Sequence, residues 1–142
     1  MAREFDVVVL GGGPGGYVAA IRAAQAGKSV AIVEQGKLGG TCLHRGCIPS
    51  KAFLKSAAVY QTVKHATTYG VDVPESFLRF EQVKQRKQEI VDGLEAGIQH
   101  LMKKGKIEVF HGRGSILGPS IFSPMPGTIS VEPEEGEGEL IL

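Results

Sequence analysis

The sequence predicts an α/β domain, with a parallel sheet and its helices first and short antiparallel strands near the C-terminus. Three observations carry this. An apolar strand, a glycine-rich turn, an alanine-rich helix and a second apolar strand follow one another within about 30 residues, as in one strand–helix–strand unit. A long amphipathic period covers residues 80–104, as a surface helix requires. Beyond Gly105 short apolar runs alternate with prolines, as strands separated by turns do.

Residues 5–10 are nearly all apolar, the pattern of a strand buried on both faces of a parallel sheet. Residues 11–16 are Gly-Gly-Gly-Pro-Gly-Gly, and the alanine-rich stretch 17–26 reads as a helix that Gly27 stops. Residues 29–33 form the second strand, ending at Glu34. Residues 35–48 read as a glycine-rich loop, and Pro49 suits the first turn of a helix over residues 50–65. After a loop at 69–74, the helix at 80–104 takes its stripe from Val83, Ile90, Leu94, Ile98 and Leu101. Gly93 and Gly97 lie inside it, each costing about 1 kcal/mol relative to alanine, and close packing is one reason to keep them. Strands are expected at 107–110, 115–117, 128–131 and 140–142, with the acidic stretch 132–139 as a solvated hairpin tip. The chain stops within an apolar run.

The 142 residues suit one ordinary domain or part of a larger protein. At 42% hydrophobic and 22% charged, the chain has the composition of a packed core. A net charge of +1 gives no reason to expect nucleic acid or a membrane surface as partner. No apolar run approaches the ~20 residues that span a bilayer. The start, Met-Ala-Arg-Glu-Phe-Asp, has no secretory pattern, so a cytoplasmic protein is expected. That compartment keeps thiols reduced, so its two cysteines are not expected to be a structural staple.

Gly11, Gly13 and Gly16 meet the G-x-G-x-x-G spacing between a strand and a helix. The first permits a tight turn, the second lets backbone approach a pyrophosphate, and the third lets helix and strand pack closely. The helix start then offers free N–H groups to the phosphates. Glu34, 18 residues past Gly16, stands where a carboxylate accepts ribose hydroxyls. Glycine clusters also occur in ordinary loops, but this one has the strand, helix and acid that a dinucleotide site needs. The spacing is common to FAD and NAD sites.

Cys42 and Cys47 lie in Gly-Gly-Thr-Cys-Leu-His-Arg-Gly-Cys-Ile-Pro-Ser-Lys. Four intervening residues let the chain turn so that the sulfurs can meet, and Gly46 eases the turn. The helix beginning near Pro49 favours a thiolate at Cys47, and Lys51 adds a cation. Zinc needs about four ligands, and Cys42, Cys47 and His44 make three. A structural disulfide and two inert thiols remain alternatives to a redox pair.

In Gly11 to Gly16, Glu34 and the stretch from Gly39 to Lys51, the chain resembles the N-terminal part of the pyridine nucleotide-disulfide oxidoreductases. Within them it looks most like the dihydrolipoamide dehydrogenase branch, over essentially all of its length. Glutathione and mercuric reductases share the cysteine signature, while Ile48-Pro49-Ser50 and the long helix before Gly112-Arg-Gly114 favour the lipoamide branch. A stand-alone redox switch and an NAD-linked dehydrogenase are the readings outside it.

The resemblance implies a Rossmann-like FAD-binding domain over residues 1–142. Gly11, Gly13, Gly15 and Gly16 would lie at the pyrophosphate and Glu34 at the adenosine ribose. Gly40, Thr41, Cys42, Lys51 and Gly114 would complete the contacts, with Lys51 beside the reactive flavin nitrogen. Cys42 would be the interchange thiol and Cys47 the sulfur nearest the flavin. A dihydrolipoyl arm would reduce the disulfide, and electrons would pass through FAD to NAD+. The implied partners are a lipoyl domain of a 2-oxo acid or acetoin dehydrogenase complex and a second subunit in a homodimer. No metal site is expected. His44-Arg45 departs from the Asn-Val common in the family, which leaves the redox role intact. The family's catalytic histidine, its NAD-binding domain and its dimerisation region are not found in this sequence. A fragment inactive by itself is therefore expected.

Overall fold

The computed structural model describes residues 3–118, 127–133 and 140–141. The chain divides into two compact units, residues 1–40 with 95–142, and residues 41–94. The α/β class is as expected, with one parallel and one antiparallel sheet.

In the first unit, β1 (Val7–Leu10), α1 (Pro14–Gln25) and β2 (Val30–Glu34) form the strand–helix–strand crossover. β3 (Glu108–His111) completes a parallel sheet ordered β1-β2-β3, in register Val7↔Val30 and Ala31↔Glu108. β2 is central, and Val30 to Val33 are all buried. β1 is only half-buried, unlike the doubly covered strand expected, because it has a single neighbour among the described strands. Helix α1 begins next to Gly13, ahead of the alanine-rich stretch 17–26, since Pro14 stands at its start with φ already set for a helix.

Asp6 and Ser29 tie the entries to β1 and β2. The Asp6 Oδ2 accepts from the Ser29 N–H at 2.7 Å and from its hydroxyl at 2.8 Å, while Asp6 N–H donates to the Ser29 Oγ at 2.8 Å. These bonds hold the Asp6 carboxyl below its ordinary pKa, the Ser29 backbone N–H first, the hydroxyl and Lys28 adding to it.

β4 (Arg113–Ile116), β5 (Ile129–Glu132) and β6 (Leu140–Ile141) form the antiparallel sheet, with Arg113↔Glu132 and Val131↔Leu140 paired. Val33 of the first sheet packs with Ile129 and Val131 of the second, joined by Val8 and Phe110. Pro119, Pro124, Pro126, Leu142 and most of the expected acidic tip lie outside the described residues.

The second unit holds both cysteines and the helical segments around them. Residues 35–48 are not wholly loop, as expected, but contain α2 (Gly40–Arg45), and α3 (Cys47–Lys64) starts at Cys47 instead of Ser50. Pro49 is then its third residue, still within the turn whose N–H groups lack intrahelical partners. A 3₁₀ turn, Ala66–Tyr69, follows. Helix α4 (Phe80–Lys104) has the expected bounds and contributes to both units. Phe80 stacks on Phe53 at 6.3 Å between centroids, and Arg86 Nη1 donates to the Ala52 carbonyl at 3.4 Å.

The buried stripe of α4 differs from the expected one. Val91, Ile98 and Met102 are buried, whereas Leu94 and Leu101 are 45% and 43% exposed. Spacings of seven and four keep Val91, Ile98 and Met102 on one line of the helix. Among the described residues close packing does not explain Gly93 and Gly97, because a methyl group on either would meet none of them within 4 Å. Among the described residues no helix is long and apolar enough to cross a membrane.

Candidate functional site

The glycine turn leaves β1 at Leu10 and enters α1 at Pro14. Gly11 N–H donates to the Val33 carbonyl at 2.8 Å, and Tyr17 N–H closes the first helical turn on the Gly13 carbonyl at 3.0 Å. No side chain caps α1 and no acidic residue lies in its first turn, so its N–H groups and positive end remain available to an anion.

The glycines of the turn answer to different demands. A Cβ on Gly16 would overlap the Gly11 carbonyl oxygen, so packing within the chain already forbids a side chain there. A Cβ on Gly13 or Gly15 would meet nothing within 4 Å, and neither has a positive φ. Their bare backbone leaves open space in which a ligand could approach closely.

Glu34 closes β2 beside this turn. Its Oε2 accepts from Gly12 N–H at 2.6 Å and its Oε1 from Gly36 N–H at 2.8 Å. Its backbone carbonyl accepts from Gly112 N–H at 3.1 Å. Gly40, at φ +61°, passes so near the turn that its Cβ would lie 2.8 Å from the Gly13 Cα. Gly114 packs over the ends of β1 and β2, where a Cβ would lie 2.6 Å from Leu10 Cδ2 and 3.1 Å from Val33 Cγ1. Gly11, Gly13, Gly15, Gly16, Glu34, Gly40 and Gly114 thus gather at the carboxyl ends of the parallel strands, where open α/β sheets bind ligands. Beside them a cavity of about 410 Å³ is lined by Lys37, Leu38, Glu95, Met102 and His111, among others, with Lys37 and Glu95 paired at 3.4 Å.

Sequence reasoning missed Gly12 and Gly36, which donate to Glu34. The available signal was a third consecutive glycine where the fingerprint asks for two in the first three places.

In the second unit Cys42 and Cys47 are joined as a disulfide, with their Cα atoms 4.7 Å apart. Cys42 lies within α2 and Cys47 is the first residue of α3. Gly46 makes the reversal between the helices, and a Cβ there would lie 3.1 Å from the Thr41 carbonyl oxygen. Helix α3 runs for 18 residues with no acidic residue in its first turn, so its positive end bears on the Cys47 sulfur. Lys51 is exposed one turn beyond Cys47, on the same helix face. Cys47 and Thr41 are exposed and Cys42 is half-buried; between the cysteines His44 is half-buried and Arg45 exposed. With both sulfurs joined, neither is a thiolate that could bind zinc. Among the described residues no group of three or more His, Cys, Asp and Glu side chains could hold a metal ion.

The sequence profile of a family described as pyridine nucleotide-disulphide oxidoreductase matches residues 5–121. The chain is similar to a dihydrolipoyl dehydrogenase of Bacillus subtilis, 66% identical over 137 residues, which are 96% of this chain and 29% of that protein. A dihydrolipoyl dehydrogenase of Chlamydia trachomatis is 48% identical over 117 residues, 82% of this chain and 25% of its own length. A mitochondrial dihydrolipoyl dehydrogenase of Schizosaccharomyces pombe is 48% identical over 122 residues, 84% of this chain and 24% of its own. The chain therefore spans 24% to 29% of the length of these relatives.

Proposed function

Because the chain belongs to the pyridine nucleotide-disulphide oxidoreductase family, we propose that it is the FAD-binding, disulfide-bearing part of a dihydrolipoyl dehydrogenase. Residues 1–142 serve as the N-terminal FAD-binding domain, and the whole protein oxidises protein-bound dihydrolipoamide with NAD+ as final acceptor. The observation that carries this reading is the Cys42–Cys47 disulfide, with Cys47 heading an 18-residue helix. The names of the relatives support the lipoamide branch over glutathione and mercuric reductases.

A substrate thiolate attacks Cys42 Sγ, a new S–S bond forms, and the Cys42–Cys47 bond breaks. Cys47 leaves as a thiolate, the better leaving group because the α3 N-terminus and Lys51 favour its charge. The second substrate thiol, losing its proton, attacks the mixed disulfide and closes the cyclic product. Cys42 is then released as a thiolate and protonated. The substrate loses two electrons and two protons, and the cysteine pair gains the electrons. FAD, when bound, supplies the route by which that electron pair reaches NAD+.

Gly11, Gly13, Gly15 and Gly16 hold the pyrophosphate of the FAD through backbone N–H groups, and Glu34 accepts the ribose hydroxyls. Gly40, Thr41, Cys42, Lys51 and Gly114 complete the binding set. A lipoyl domain delivers the substrate, the whole enzyme is a homodimer, and it works in the cytoplasm. These assignments follow the family likeness.

In the whole protein, Cys42→Ser and Cys47→Ser should each slow dihydrolipoamide-driven NAD+ reduction by roughly a thousandfold or more. Absorption spectra of the variants with FAD oxidised, taken without reductant, separate their roles. A long-wavelength band from thiolate against flavin is expected in Cys42→Ser and not in Cys47→Ser. A band unchanged in Cys47→Ser would overturn the assignment of Cys47.

A further inference from the structure

We infer that Glu34 is a positioning residue that holds the phosphate-binding turn in its ligand-ready shape before any cofactor arrives. The inference rests on the reading that this turn receives the FAD pyrophosphate, and it gives Glu34 a second task beside accepting the ribose.

Both carboxylate oxygens of Glu34 are engaged with backbone in the chain by itself. One accepts from Gly12 N–H at 2.6 Å and the other from Gly36 N–H at 2.8 Å, so one side chain bridges two separate turns. The Gly12 carbonyl in turn accepts from Gly39 N–H at 2.8 Å. Gly12 is thus held at its N–H by the last residue of β2 and at its C=O by the segment that follows. Gly12 is also buried, and a Cβ there would lie 2.7 Å from Leu38 Cδ2 and 3.2 Å from Glu34 Oε2. No side chain fits between the turn and the carboxylate, which explains a glycine at a place the fingerprint leaves free.

Hydrogen bonds to a charged acceptor are the stronger ones, and these fix the peptides that lead into the α1 N-terminus. The phosphate donors then need no reordering when a ligand binds, which removes part of the entropy cost of binding. A carboxylate has about four lone-pair sites, so ribose hydroxyls can join without displacing either glycine.

The test uses the whole protein stripped of FAD, with Glu34→Ala and Glu34→Gln variants. Hydrogen exchange is followed by mass spectrometry in the segments holding Gly12, Gly36 and Ile32. Inorganic pyrophosphate, which has no ribose, is titrated in parallel. In Glu34→Ala, the Gly12 and Gly36 amides should exchange at least about tenfold faster, while Ile32 of β2 keeps the native rate. Glutamine retains one acceptor oxygen, so only one of the two amides should accelerate. Pyrophosphate affinity should fall in the order native, Gln, Ala.

Unchanged exchange at both glycines in Glu34→Ala would overturn the inference. Pyrophosphate affinity left intact while FAD binding weakens would do the same, since Glu34 would then act on the ribose alone. If Glu34→Ala fails to fold, the one-sided response of Glu34→Gln decides the matter by its presence or absence. If the native protein binds no pyrophosphate, the cofactor reading fails, while the exchange pattern still judges the bridge.

Discussion

Cys47, the first residue of α3, is bonded to Cys42, which lies one short turn back within α2. The bond therefore sets one sulfur at the positive end of a long helix and the other on a separate short one.

Charge on the first turn of α3 should control how readily this bond opens. Lys51→Glu puts a carboxylate one turn from Cys47, opposing the thiolate that must leave. Reduction by dithiothreitol should slow roughly fivefold at low salt, and by less at high salt. Counting free thiols after quenching measures it, with Lys51→Gln falling between. An equal rate in all three would mean that Lys51 does not act on the leaving sulfur.

Gly15→Ala and Gly16→Ala should part company. Alanine at Gly15 meets open space within α1, so the FAD-free protein should keep or gain stability, by up to ~1 kcal/mol. FAD affinity should nevertheless fall, because the methyl group enters the phosphate cradle. Alanine at Gly16 collides with the Gly11 carbonyl and should destabilise the protein itself by about 1–3 kcal/mol. Thermal melts without FAD and flavin fluorescence titrations separate the two effects.

Asp6 should make stability depend on acid. Its carboxyl titrates below the ordinary value because the Ser29 N–H and hydroxyl favour the charged form. The unfolded chain therefore takes up this proton first as pH falls. The contribution is complete above about pH 4 and is lost as pH falls through the lower folded value. Asp6→Asn removes the titration. Urea midpoints of native and variant chains should converge as the medium is acidified below about pH 4, and a constant gap would refute the account.

Gly93→Ala and Gly97→Ala should each stabilise the 142-residue chain by about 1 kcal/mol. Both glycines lie in α4, and a methyl group on either has no neighbour within 4 Å, so the gain in helix propensity meets no clash. A fall in the thermal midpoint for either variant would show that a close contact forms at that residue.

The sequence by itself determined the strand–turn–helix–strand order, the bounds of α4 and the identity of the cysteine pair, because these are properties of local period and spacing. Gly11, Gly13, Gly16 and Glu34 were legible because the fingerprint is a local pattern of backbone demand. Tertiary structure decided what depends on neighbours. β1 has one neighbour among the described strands, and Val91 and Met102 took burial that periodicity had given to Leu94 and Leu101. Cys47 became a helix start, which no residue before Pro49 announces. Above all, the partners of Glu34 could not be read from spacing. Its bond to Gly12 joins residues 22 apart, and contacts of that range exist only once β1 and β2 lie side by side.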